Sequence, residues 1–215
     1  MSDNPWFSWR YLENNWRNLA ELTGQHVSLT VQAVLIALLL AVPLAVLARG
    51  RPVISGAVLG SSAVLYTVPS IALFGLLAPF TGIGRTTVLI GLVAYAMLVL
   101  VRNTLVGLRG VPPDVVDAAR GMGYSPLRRL LAVELPLALP AIITGVRLAT
   151  VTTVALVTVG VVVGYGGLGQ AMYSGFNSSY RAEILAATVL CVAIALVADL
   201  LLLALGRLVV RWRRA

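Results

Sequence analysis

Residues able to do chemistry are scarce in this 215-residue sequence. His26 and Cys191 are its single histidine and single cysteine. A site built from several imidazoles or thiolates is therefore excluded. Cys191 lies inside an apolar run and reads as a small buried or lipid-facing side chain. Asp114, Asp117 and Glu134 flank one polar stretch, but their spacing is poor for carboxylates that must share a metal ion, as a membrane-embedded phosphatidyl-transfer enzyme would require. Gly164 to Gly169 (GYGGLG) formally matches G-x-G-x-x-G, yet a long apolar run precedes it, where a nucleotide fingerprint needs a strand. All sixteen basic residues are arginine, so no G-x-x-x-x-G-K-[ST] loop exists, and ATP hydrolysis would have to occur in another chain. Arg147 and Asp199 sit within apolar runs, where charge is costly; they suit a structural pair or, less simply, an ion path. Tyr66 and Tyr95 are aromatic faces inside apolar segments, suited to packing or to cation–π contact with a quaternary amine. What stands out is Asp117 to Pro136, DAARGMGYSPLRRLLAVELP, with three arginines and two carboxylates.

The elements around that stretch point to a bilayer. The sequence is 59% hydrophobic and 11% charged, far from the balance of a soluble domain. A helix needs about twenty apolar residues to cross the hydrocarbon layer. Five runs qualify: 26–48, 53–78 interrupted by Pro69, 87–108, 137–163 and 184–205. One set of connections carries Arg49, Arg51, Arg102, Arg109, Arg120, Arg128, Arg129, Arg207, Arg211, Arg213 and Arg214. The opposite set carries Arg10, Arg17, Arg85 and Arg181. The richer side is cytoplasmic by the positive-inside rule, which puts the N-terminus outside and the C-terminus inside, as five spans require. Trp9, Leu12, Trp16 and Leu19 recur at helical spacing and predict an amphipathic helix on the outer surface. The polar N-terminus does not read as a signal peptide. The expected organisation is an extracytoplasmic segment at 1–24, a transmembrane domain at 25–210 and a cytoplasmic tail at 211–215. Gly56/Gly60 and Gly160/Gly164 are small-residue pairs suited to close helix contact, and Pro43 and Pro69 predict kinks.

Within 111–136 the residues predict a helical hairpin on the cytoplasmic side. Pro112 and Pro113 suit a helix start, with Asp114 and Asp117 at its positive end. Gly121 and Gly123 suit its termination. Ser125 caps a second helix with Pro126 at its first position. Val115, Val116, Ala118, Ala119 and Met122 form one apolar face; Leu127, Leu130 and Leu131 form another. Two readings fit: an interfacial loop that joins two spans, or a stiff docking element for a soluble partner.

The same stretch resembles the permease subunits of bacterial ABC importers. Their cytoplasmic signature is Glu-Ala-Ala, three residues, Gly, nine residues, Ile, one residue, Leu-Pro. Asp117-Ala118-Ala119, Gly123, Val133 and Leu135-Pro136 match its spacing, with Asp for Glu and Val for Ile. The shorter Asp puts any contact made by the family's Glu in question. Val68-Pro69-Ser70-Ile71-Ala72, Val101-Arg102-Asn103-Thr104, Glu134 to Pro140 and Gly166-Gly167-Leu168-Gly169 look like the osmoprotectant branch, which imports glycine betaine, carnitine, choline and related amines. The methionine branch is similar in size and shares the signature. The resemblance implies an all-α fold of about five transmembrane helices of the type I ABC importer kind. The partners it implies are ATPase subunits holding ATP and Mg, a second permease copy or sister permease, and an extracytoplasmic binding protein. It further implies no catalytic residue or resident cofactor in this chain. Asp117, Ala118, Ala119, Gly123, Val133, Leu135 and Pro136 would couple to the ATPase, and Tyr66, Pro69, Ser70 and Tyr95 are candidates for the substrate path.

Overall fold

A computed structural model describes residues 4–210; the expected tail at 211–215 lies outside the described residues. The chain forms helices α1 (Trp9–Ala48), α2 (Pro52–Thr67), α3 (Ser70–Thr81), α4 (Arg85–Arg109), α5 (Pro113–Gly121), α6 (Pro126–Arg129), α7 (Leu135–Val159), α8 (Leu168–Asn177) and α9 (Arg181–Val209). A π-turn at Leu130–Glu134 joins α6 to α7, and a 3₁₀ turn at Gly160–Val163 follows α7. Among the described residues, four stretches are long and apolar enough to cross a membrane: α1, α4, the run Pro126–Val163 and α9. The pair α2–α3, bent by 99°, makes a fifth if it is one broken span. The architecture is the expected all-α membrane fold.

The core is built where small residues let helices approach. Ala33, Ala37, Ala41 and Ala45 repeat every fourth residue along α1 and are completely buried. Ala37, Ala41 and Ala45 cluster with Ala96, Leu100, Val101 and Leu105 of α4 and Ala138, Ile142 and Ala149 of α7, and Ala33 clusters with Phe74, Val88, Leu92 and Val157. Lipid tails are as apolar as leucine, so close van der Waals packing, more than water exclusion, holds such helices together. Gly107 and Gly145 mark a close crossing of α4 and α7: a Cβ on Gly107 would lie 2.8 Å from the Ala138 carbonyl oxygen, and one on Gly145 would lie 2.6 Å from Asn103 Cβ. Of the predicted small-residue pairs, Gly160 does pack closely, against Val88 and the Tyr165 carbonyl, whereas Gly56 and Gly60 face open space. A glycine pair shows that a backbone can be approached; it does not name the approaching helix.

The N-terminal end also differs from the sequence reading. The amphipathic segment and the first span are one continuous helix, started by Ser8, whose hydroxyl accepts from the Tyr11 amide at 3.2 Å. Pro43 lies inside that helix without ending it. Leu19 is buried beside Tyr11 and Ala182, while Trp9 and Trp16 are exposed, as suits indoles at a headgroup layer. Pro69 does more than kink: it ends one helix and begins the next. The GYGGLG turn folds inward, with Gly166, Gly167, Leu168 and Gly169 buried against α1 and α7. Gly167 adopts φ +52° and its Cα lies under His26, where a Cβ would come within 2.8 Å of the His26 Cβ. Helix α8, which follows it, is too short to register as a span.

Candidate functional site

Each feature of the polar stretch has a local cause. Pro113 opens α5, with Asp114 in its first turn and Arg120 in its last. Gly123 adopts φ +78°, so the chain reverses at a residue that has no Cβ to strain. The Tyr124 amide donates back to the Ala119 carbonyl at 3.1 Å and closes the turn. The Ser125 hydroxyl accepts from the Arg128 amide at 3.3 Å and starts α6 at Pro126. The Arg128 guanidinium stacks 4.4 Å from the Tyr124 ring centroid. The hairpin is therefore ordered from within.

The π-turn answers why the stretch ends in Leu-Pro. Pro136 has no amide hydrogen and crowds the carbonyl one turn back. Just before it, the Leu135 amide donates to the Leu130 carbonyl, five residues earlier, instead of four. The wider ring absorbs one extra residue and rotates α6 relative to α7. Glu134, at the end of this turn, points into the protein and is 7% exposed.

There it meets two arginines from different elements. Arg129 Nε donates to Glu134 Oε1 at 2.8 Å. Arg49 Nη1, at the end of α1, lies 2.8 Å from Glu134 Oε2 in an ion contact that is not an aligned hydrogen bond. Both guanidiniums are largely buried, at 22% and 15% exposure. Removing one member of such a buried group costs about 3 kcal/mol or more, because the remaining charge is left unpaired. Sequence reasoning weighed Glu134 as a metal ligand and missed this junction. The signal available was a carboxylate beside Leu-Pro and an arginine cluster ending the first span.

The signature residues are distributed around this frame. Ala119 is buried; Asp117 and Ala118 are exposed, and Asp117 pairs with Arg120 at 2.8 Å on the surface. Val133, Leu135 and Pro136 are half-buried at the π-turn. Val115, Met122, Leu127 and Leu131 are exposed apolar side chains on the hairpin. The hairpin thus presents an uncovered apolar surface beside an ordered charged one.

The second candidate region lies at the α2–α3 elbow. Tyr66 lies in the last turn of α2, Pro69 caps α3, Ser70 begins it, and the Tyr95 hydroxyl of α4 reaches the break. Tyr66 and Tyr95 are brought together, and Pro69 and Ser70 follow Val68 at the same break. The rings of Tyr66 and Tyr95 meet edge to face, with centroids 5.7 Å apart. The Tyr95 hydroxyl donates to the Val68 carbonyl, a group the proline break leaves without its helical partner. An unpaired carbonyl at membrane depth is expensive, so Tyr95 has a structural task. Tyr95 is buried, whereas Tyr66 is 44% exposed. Elsewhere, Arg147 of α7 and Asp199 of α9 form a two-pronged pair, Nε to Oδ1 and Nη2 to Oδ2, both 2.8 Å. Of the two uses the sequence allowed for these charges, the geometry is that of a structural tie. His26 Nε2 lies 3.0 Å from the Val154 carbonyl oxygen, and Cys191 Sγ lies 4.0 Å from the same nitrogen; both are buried.

Comparison with known proteins bears on this arrangement. Residues 15–215 match the family described as binding-protein-dependent transport system inner membrane component. The osmoprotectant import permease protein OsmW of Salmonella typhimurium is 38% identical over 89% of this chain and 92% of its own length. The carnitine transport permease protein OpuCB of Listeria monocytogenes is 35% identical over 81% of this chain and 80% of its own. Among solved structures, an inward-facing MetNI methionine ABC transporter chain superimposes with TM-score 0.77 at 25% identity, covering 94% of this chain and 99% of that one.

Proposed function

The chain belongs to the binding-protein-dependent transport system inner membrane component family, and on that premise we propose that it is the permease of an ATP-driven importer of compatible solutes such as glycine betaine, carnitine or choline. It works in a multi-pass bacterial membrane complex whose ATP and Mg are held by partner ATPase subunits and whose solute arrives on a binding protein. In this reading the N-terminus is outside, the hairpin is cytoplasmic, and the chain carries out no hydrolysis itself. A second permease, the same chain or a sister, completes the bundle.

The observation that carries the reading is the hairpin. Asp117, Ala118, Ala119, Gly123, Val133, Leu135 and Pro136 hold the spacing of the ATPase-coupling signature, and the apolar side chains beside them are uncovered. A groove on an ATPase subunit would cover them. As ATP closes the ATPase pair, the ordered hairpin moves as a body and shifts the bundle between inward and outward openings; the contacts must differ in the two states for that shift to occur. The elbow residues Tyr66, Pro69, Ser70 and Tyr95 are assigned to the solute path, with the Tyr66 face available to a quaternary ammonium.

Relatives named for osmoprotectant and carnitine transport are more similar in sequence than the methionine transporter chain, which favours compatible solutes over methionine. Metal-dependent phosphatidyl transfer is disfavoured by its own ligands: Glu134 is taken by two arginines and Asp117 by Arg120. The test is uptake by proteoliposomes containing the chain, its ATPase subunits and its binding protein. ATP-dependent uptake of glycine betaine, carnitine or choline is expected; uptake of methionine alone would overturn the substrate assignment.

A further inference from the structure

We propose that Glu134 is a positioning residue that ties the coupling hairpin to α1 through Arg49, so that hairpin motion reaches the centre of the bundle by two routes. The inference rests on the reading that the hairpin meets an ATPase.

The covalent route runs from α6 through the π-turn into α7. That route is compliant at its start, because a π-turn already departs from the regular helical ladder and Pro136 follows it without an amide to restore one. The second route is the clasp. Its two contacts use different carboxylate oxygens, Oε1 for Arg129 and Oε2 for Arg49, so the carboxylate bridges two elements instead of serving one. Arg129 fixes it to the hairpin. Arg49 fixes it to α1, whose inner end is anchored by the fully buried Ala45 and Ala48. The bridge spans residues far apart in sequence, joins the three elements that meet at the inner face, and excludes most water. With the carboxylate neutralised, two guanidiniums face one site with nothing between them, and the end of α1 parts from the hairpin. The hairpin would still seat on the ATPase through its exposed apolar face, which Glu134 does not form. ATP turnover and solute movement should therefore separate.

The measurement is solute taken up per ATP hydrolysed, in proteoliposomes of the full complex, with glycine betaine, carnitine and choline as probes. Glu134→Gln should keep ATP turnover within about twofold while uptake per ATP falls about tenfold, a size typical of a lost coupling interaction. Arg49→Met, which leaves Glu134 paired with Arg129, should do the same, and Arg49→Lys should recover most of the loss. The double variant should be no worse than either single one, because one joint is being broken. Unchanged uptake per ATP in both single variants overturns the proposal, as does a parallel fall in ATP turnover and uptake, which a merely structural role would give. If Glu134→Gln fails to assemble, Arg49→Met decides by the same ratio. A wild-type complex without ATP-driven uptake of any of the probes would instead sink the functional reading itself.

Discussion

Two of the breaks between helices, the α2–α3 elbow and the α5–α6 hairpin, are held by opposite means. At the elbow, Pro69 ends α2, and a neutral donor, the Tyr95 hydroxyl, takes the carbonyl that the break leaves over; the surroundings are aromatic and aliphatic. At the hairpin, Gly123 reverses the chain, and the joint to the bundle is a carboxylate held between two guanidiniums. The elbow lies between apolar helices, where a lone charge is costly and a hydroxyl suffices. The hairpin lies beside arginine-rich connections, where paired charge is tolerable and can reach across elements. The elbow repairs a local defect. The hairpin joint connects distant parts of the chain, as the proposed coupling to an ATPase requires.

The largest effect expected from breaking this contrast is at Gly123. Proline cannot adopt φ +78°, so Gly123→Pro should open the hairpin turn and reduce uptake by at least about tenfold, with the chain still inserted in the membrane. Gly123→Ala, which strains the same position by only about 1 kcal/mol, should retain most uptake. Unchanged uptake in Gly123→Pro would remove the reason to treat the hairpin as stiff. A smaller effect is expected at the third tie. Asp199→Asn should lower the Tm of the purified complex by leaving Arg147 half-paired, and adding Arg147→Met should restore part of it, because the unpaired charge is then gone. Transport per ATP should not change in either, which would separate a tie that stabilises from one that couples. At the elbow, Tyr95→Phe should cost about 1 kcal/mol in complex stability, from the orphaned Val68 carbonyl. Smallest of all, Tyr66→Phe should leave stability unaltered, since Tyr66 contributes its ring to the pair. A Tyr66→Phe variant that destabilised more than Tyr95→Phe would reverse the assignment of roles at the elbow.

The hairpin was legible in the sequence because its determinants are local. Pro113, Gly123, Ser125 and Pro126 each act within a turn of their own position, and the predicted helix, reversal and second helix all form. The clasp was not legible, because Arg49 and Glu134 meet only through the packing of α1 on α4 and α7. Residue type alone made Glu134 a candidate metal ligand; its spacing from Asp114 and Asp117 spoke against that and pointed to no other partner. The π-turn also escaped notice: Leu-Pro signals a disturbed ladder, but not its form. The expected division of α1 near its N-terminal end rests on a change from polar to apolar residues, yet that stretch holds no proline and a single glycine, Gly24, which a helix can absorb. The glycine pairs show the same limit. Gly160 found a partner within the chain; Gly56 and Gly60 did not, while the alanine repeat of α1 forms the actual seam.

The central claim is that the hairpin touches the ATPase with its uncovered face while its buried face is fixed to the bundle. Site-specific crosslinking in the assembled complex tests it most directly, with single cysteines in place of exposed Ala118, exposed Leu127 and, as a control on the opposite end, exposed Phe176. The account predicts short-range crosslinks to the ATPase subunit from positions 118 and 127 and none from 176. A complex in which 118 and 127 crosslink to no ATPase subunit, while 176 does, would contradict it.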